Sequence, residues 1–278
     1  MLNGKFPLVL APTGMVPTKL QTPHVPLTPV EIAEDVERCA QLGITSVHIH
    51  ARDVDGKPDW HASNYARIVS EIKLRTPDVL INVSTSGRNW SEIEKRADCL
   101  SLDDDLKPDL ASLTLSSLNF ISGASVNSPE IITGLAQIML DREIKPELEI
   151  FDLGMVNMAH VLQKRGLLPG ALVANLFLGN IAGAQATLSE LGLLVERLPK
   201  ETVWSSAGIG EFRDKAHSMS LAAGGGVRVG LEDGIYFDGR RDSLARNVDL
   251  VEKVHQMASL QGLELASSSE FRRVVLEK

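Results

Sequence analysis

Short runs of β-branched and Leu-rich residues alternate along this chain with longer stretches in which apolar side chains recur every three or four positions, and the alternation occurs eight times. The strand-like runs are PLVLAP from Pro7, ITSVHIH from Ile44, VLINVST from Val79, LASLTL from Leu110, ELEIFD from Glu147, LVANLFLG from Leu172, TVWSSAG from Thr202 and GVRVGLED from Gly226. Between them the helical stretches have readable ends. In LTPVEIAEDVERCAQLG, Thr28 is an N-cap, Pro29 suits the first helical position, and Glu31 completes a capping box. Ile32, Val36, Cys39 and Ala40 follow at helical spacing, and Gly43 supplies the stop. In NSPEIITGLAQIML, Ser128 precedes Pro129, and Ile131, Ile132, Leu135, Ile138 and Met139 form the apolar stripe.

Strand-then-helix units joined by short loops call for parallel strands and right-handed crossovers. Eight of them predict a single-domain (β/α)8 TIM barrel over residues 1–278, with SSSEFRRVVLEK from Ser267 as an extra C-terminal helix. The length agrees with the roughly 250 residues typical of such barrels. An open doubly wound sheet is the alternative, but it would gather its ligand at one reversal of strand order instead of spreading polar residues over most strand ends.

Composition narrows the partners. A net charge of −8 and a pI near 5.4, with no dense Lys/Arg cluster, argue against nucleic acid. No stretch approaches the roughly 20 apolar residues of a membrane span, so a soluble, cytoplasmic protein is expected. Cys39 and Cys99 lie far apart in helical stretches and are read as reduced packing residues.

In a barrel the chemistry gathers at the C-terminal ends of the strands, where alternate residues face the lumen. The second run places Ser46, His48 and His50 on one face; the eighth places Arg228, Gly230 and Glu232 on one face, followed by Asp233. Both are even-numbered strands, so an imidazole and Glu232 can share a layer, and two imidazoles plus a carboxylate make a catalytic zinc set with an open position. The structural alternative is a His-x-His pair that simply packs inside the barrel. Further polar strand ends are Asn82 and Ser84 with Gly87 and Arg88 beyond them, Ser116, Ser117 and Asn119 after the fourth run, and Glu147 and Glu149 sharing a face with Phe151. Arg228 is placed to neutralise a buried carboxylate. Arg52 and Asp53 read as a structural ion pair. GNIAGAQ and AGIGEF fall on the catalytic side, AAGGGV reads as a turn on the opposite side, and no Walker or Rossmann fingerprint occurs. His24, His61, His160, His217 and His255 are read as surface or loop residues.

Taken together, APTGMVPTK, VHIHARDVDGKP, NVSTSGR, LASLTLSSLNF, KPELEIFDLGM and GGGVRVGLED resemble the β-keto acid cleavage enzyme family, whose founding activity is 3-keto-5-aminohexanoate cleavage. The resemblance runs from the first strand to the eighth. It implies a zinc-bearing (β/α)8 barrel, commonly a homotetramer, that converts a β-keto acid and acetyl-CoA into acetoacetate and a new acyl-CoA. By motif position it implies His48, His50 and Glu232 as ligands of Zn2+, and Arg228, Asp233 and Ser84 as catalytic residues. Thr13, Arg88, Ser117, Asn119 and one of Glu147 or Glu149 would contact substrate. Three positions depart from the family pattern: Val16 replaces an acidic residue, Gly234 replaces Asn, and Ser117 replaces Thr. Val16 removes the counterion of an amine, and Arg88 adds a cation near the mouth, so an uncharged or anionic substrate side chain is expected. The competing readings are a mono-zinc aldolase or an amidohydrolase acting without CoA, and a non-catalytic ligand-binding barrel. The fifth and sixth runs lack the further histidines that an amidohydrolase usually carries.

Overall fold

In the computed structural model, which describes residues 2–277, the expected strands are β1 (Leu8–Leu10), β2 (Ser46–Ile49), β3 (Leu80–Val83), β4 (Leu110–Thr114), β5 (Lys145–Ile150), β6 (Val173–Leu178), β7 (Val203–Gly208) and β8 (Gly226–Val229). All run parallel to their neighbours, in chain order, and β8 pairs with β1 to close the barrel. The helices that follow them in turn are α1 (Pro29–Leu42), α2 (Ala62–Arg75), α3 (Ile93–Ala97), α4 (Pro129–Asp141), α5 (Leu153–Lys164), α6 (Leu188–Arg197), α7 (Arg213–Ala222) and α8 (Asn247–Leu260), with α9 (Ser268–Val275) as the additional C-terminal helix.

The caps form as the sequence requires. Thr28 and Glu31 make a reciprocal capping box on α1, Ser128 accepts from the Ile131 amide on α4, and Ser267 and Glu270 box α9. AAGGGV is the α7–β8 turn, with Gly224 in the left-handed region at φ +80°.

The period of two sorts every strand into an outer and an inner face. Val47, Ile49, Ile81, Val83, Leu113, Leu148, Ile150, Leu176 and Val229 point outward into one continuous core with the helix faces, including Ile32, Val36, Leu135 and Val254. On the inner face, Leu80, Leu110 and Val173 lie at the strand starts, where Phe271 and Val275 of α9 pack against them. One step up each of those strands the buried residues are Asn82, Ser112 and Asn175. The lumen therefore changes from an apolar floor to a polar middle.

Two small antiparallel hairpins interrupt the repeat: Ala51–Arg52 with Pro58–Asp59, and Leu118–Phe120 with Gly123–Ser125. The second differs from the expectation that Ser116, Ser117 and Asn119 end the fourth strand. Pairing of β4 stops at Thr114, and the chain is recaptured by Asn127: its amide donates to Ser117 Oγ (2.8 Å), and its Nδ2 donates to Ser116 O and Ser125 Oγ. Both cysteines are buried and free, with burial raising each thiol pKa. Among the described residues, no helix is long and apolar enough to cross a membrane.

Candidate metal centre and active site

His48 belongs to β2, His50 lies just past its end, and Glu232 follows β8 after Gly230. Gly230 is required where it stands, since a Cβ there would lie 1.9 Å from Ala11 O of the neighbouring chain segment. The three side chains meet. His48 Nε2 is 3.1 Å from His50 Nε2, and Glu232 Oε1 lies 3.2 Å from His50 Nε2 and 3.8 Å from His48 Nε2. Metal–ligand distances of roughly 2.0–2.1 Å in a tetrahedral site imply donor separations of about 3.3 Å, which these spacings approximate. Burial, then the nearby Arg228 charge, holds the His48 pKa well below its ordinary value, so the ring is in the neutral form that binds metals. Burial opposes charge on Glu232, but its neighbours, the Arg228 charge first among them, more than offset it and keep the carboxyl well below its usual range. Among the described residues, His48 Nδ1 and Glu232 Oε2 are buried without a hydrogen-bond partner. The donor set fits a divalent ion.

A cavity of about 350 Å3 opens above these residues, lined among others by Val16, His50, Ser84, Arg88, Glu232 and Asp233. Arg228 is fully buried, with Nη2 2.8 Å from Glu232 Oε1 and Nε donating to Asp233 Oδ2 at 3.2 Å. Burial works against its charge, but Asp233, Glu232, Glu149 and Glu147 keep it protonated. Asp233 responds the other way: burial pushes its pKa up to about 6 despite Arg228. The site thus pairs a permanently charged guanidinium with a carboxylate poised to exchange a proton. A larger groove of about 630 Å3 lies at the opposite end of the barrel, bordered by α9; its Lys145 ammonium is tied to Pro169 O and Ala171 O, and none of the triad borders it.

The model of the beta-keto acid cleavage enzyme family matches residues 5–276. The chain belongs to this family. Among curated relatives, it is 33% identical over 96% of its length to the 3-oxoadipate:acetyl-CoA acetyltransferase of Cupriavidus necator, covering 93% of that protein. It is 31% identical over 98% of its length to a 3-keto-5-aminohexanoate cleavage enzyme of Fusobacterium nucleatum, covering 97% of it. The apo structure of ObcA superposes with a TM-score of 0.83 at 22% identity, over 91% of this chain. That likeness is one of fold, and this chain spans about 65% of the ObcA chain's length.

Set against the family motifs, the geometry separates residues that converge from those that do not. Ser84 and Arg88 line the cavity with Asp233 and Arg228. Of the two strand-five glutamates, Glu149 lines it and accepts from Thr114 Oγ1, whereas Glu147 lies one step deeper, bonded to Asn82 Nδ2 and 3.9 Å from His48 Nδ1. Burial pushes the Glu147 pKa up to about 7. Ser117 and Asn119 are not among the cavity's lining residues: both are exposed, Ser117 just before the hairpin and Asn119 within it, because the chain leaves the barrel at Thr114. Thr13 is fully buried behind the cavity wall, and the loop residues that face inward are Met15 and Val16.

Two other expectations are corrected. Arg52 does not pair with Asp53; its guanidinium donates to Gly14 O, Pro17 O and Gly56 O, while Asp53 Oδ1 accepts from the Asp55 and Lys57 amides. His217 is neither surface nor loop but buried in α7, where Nε2 donates to Arg228 O at 2.9 Å. The helix face that buries it also holds Ala216 and Ser220.

Aromatic side chains complete the wall. Phe177 and Phe151 stack at 4.5 Å between centroids, Phe120 meets Phe151 edge-on at 5.7 Å, Arg228 lies over Phe177, and Arg88 over Phe120. Phe151 is on the face of Glu149, as its parity predicts, and the same parity, not used for the sixth run, puts Phe177 with Asn175.

Proposed function

We propose that this protein is a zinc-dependent β-keto acid cleavage enzyme that takes acetyl-CoA as co-substrate and releases acetoacetate and a new acyl-CoA. The observation that carries the reading is the meeting of His48, His50 and Glu232 with the Arg228–Asp233 pair on one cavity, in a chain of this family. A divalent ion held by the triad would supply Lewis-acid polarisation of the substrate's ketone oxygen.

Asp233, oriented by Arg228, removes a proton from the carbon between ketone and carboxylate. That carbon attacks the acetyl-CoA thioester, forming a carbon–carbon bond and expelling CoA thiolate. The thiolate then attacks the original ketone carbon. The bond to the new acetoacetyl unit breaks, leaving acyl-CoA, and Asp233 returns its proton to acetoacetate. Ser84 donates a hydrogen bond to developing oxyanions. Val16, half exposed at the mouth, offers no counterion to an amine-bearing substrate. The reading takes residues 1–278 as one cytoplasmic barrel domain that assembles as a homotetramer.

The test is a panel of β-keto acids assayed on metal-loaded enzyme with and without acetyl-CoA. Acyl-CoA and acetoacetate are expected in equal amounts, with turnover lost on chelation and restored by Zn2+. Cleavage that proceeds without acetyl-CoA would replace this reading with an aldolase.

A further inference from the structure

Among the described residues, each fully buried guanidinium group holds polar partners, though Arg228 Nη1 is left without one. Arg52 donates to three carbonyls; Arg96 donates to Thr85 O, Val126 O and Asn127 Oδ1; Arg213 donates to Gly234 O, Tyr236 O and Phe237 O; Arg228 holds Glu232 and Asp233. Arg88 is half-buried in the cavity wall, and among the described residues its guanidinium has no hydrogen bond or ion pair. Its Cζ sits over the Phe120 ring, 3.7 Å from the centroid. Removing a charge from water without a partner is unfavourable, and cation–π attraction offsets only part of that loss. Burial lowers the Arg88 pKa, while Glu232, Glu149 and Asp233 raise it. The side chain rests against Phe120 with its N–H donors uncommitted among the described residues.

We propose that Arg88 receives a second carboxylate, so that the preferred substrate is a dicarboxylic β-keto acid; this rests on the reaction proposed above. A guanidinium's planar fork matches a carboxylate with two parallel hydrogen bonds. The wall between the two cations suits the remainder of such a molecule. Phe177, next to Arg228, stacks on Phe151, and Phe151 meets Phe120 beneath Arg88, giving a methylene chain an apolar surface from one charged end to the other. The β-keto acid end lies at the triad and Arg228, and the distal carboxylate lies at Arg88, with the Ser86 hydroxyl alongside. An ammonium group at the distal end would face Arg88 with no acidic residue at position 16 to attract it.

The experiment compares 3-oxohexanedioate with 3-oxohexanoate, matched in chain length, each with acetyl-CoA on metal-loaded wild-type enzyme and on Arg88→Met and Arg88→Lys. The ratio of kcat/KM is expected to favour the diacid by on the order of 10- to 100-fold, the worth of a charge-assisted bidentate contact. Arg88→Met should collapse that ratio mainly through KM, and Arg88→Lys should restore part of it. A wild-type ratio near one, or one that Arg88→Met leaves intact, overturns the assignment. Calorimetric titration with glutarate and pentanoate separates this inference from the reaction. Tighter binding of the diacid that disappears in Arg88→Met supports the carboxylate site even if no keto acid turns over, whereas equal binding of the two overturns it.

Discussion

Gly14 is where the loop after β1 presses on a candidate metal ligand. Its φ is +64°, in the left-handed region, and a Cβ there would stand 2.6 Å from Glu232 Cγ and 2.9 Å from Glu232 Cβ. An alanine would add backbone strain of roughly 1–2 kcal/mol and push Glu232 away from the imidazoles. Gly14→Ala is therefore expected to weaken zinc binding at least tenfold while lowering stability by only about 1–3 kcal/mol. Zinc competition titration beside a urea melt checks this, with His48→Ala, which removes a proposed ligand, run alongside; unchanged affinity would mean that Glu232 is not held by this contact. The triad itself was legible because a period of two is enough to bring His48 and His50 to one face and to pair them with Glu232 on another even-numbered strand. Thr13 was not legible, since neither its pattern nor its motif says whether a loop residue faces the cavity or the wall behind it. Which of Glu147 and Glu149 reaches the cavity was also open: both share one face, and only the height of the floor decides.

At the scale of elements, the strand-end loops act as a tied set. Arg52, in the short hairpin after β2, brings its guanidinium to Gly14 O, Pro17 O and Gly56 O, and so fastens the loop carrying Met15 and Val16 to the segment that carries His50. Hydrogen bonds from a charged donor contribute about 1.5–3 kcal/mol each, and these share one side chain, so their sum is not additive. Arg52→Met should destabilise the protein by roughly 2–4 kcal/mol, with amide exchange accelerating first in residues 14–18. Exchange that accelerates uniformly instead would show that the loop is held by something else. Helix caps were readable here because each is a local bargain among four residues. Loop ties were not, because Arg52 finds its partners at positions 14 and 17, on another strand's loop. The hairpin at Leu118–Phe120 escaped for the same reason: Asn127 and Arg96 capture it from outside the strand pattern.

The whole molecule depends on α9 more than an appended helix suggests. Phe271 and Val275 cover Leu80, Leu110 and Val173 at the strand starts, and Arg272 Nη1 reaches Asp109 Oδ1 at the head of β4. Phe271→Ala should cost about 3–5 kcal/mol, because the vacated space is walled by strands that have little room to collapse. The urea midpoint should fall with an unchanged slope; a loss below about 1 kcal/mol would show that the floor closes without this ring. The eightfold count and parallel closure were legible in the alternation of short apolar runs and amphipathic stretches. The docking place of α9 was not: an amphipathic stripe says that a face is buried and is silent on what lies opposite.

A sealed floor turns the lumen into a blind alley. Everything that reaches the triad enters and leaves past the same rim of loops, so a small molecule seated at the bottom stays there until whatever settled above it has gone. Traffic through such a space is last in, first out.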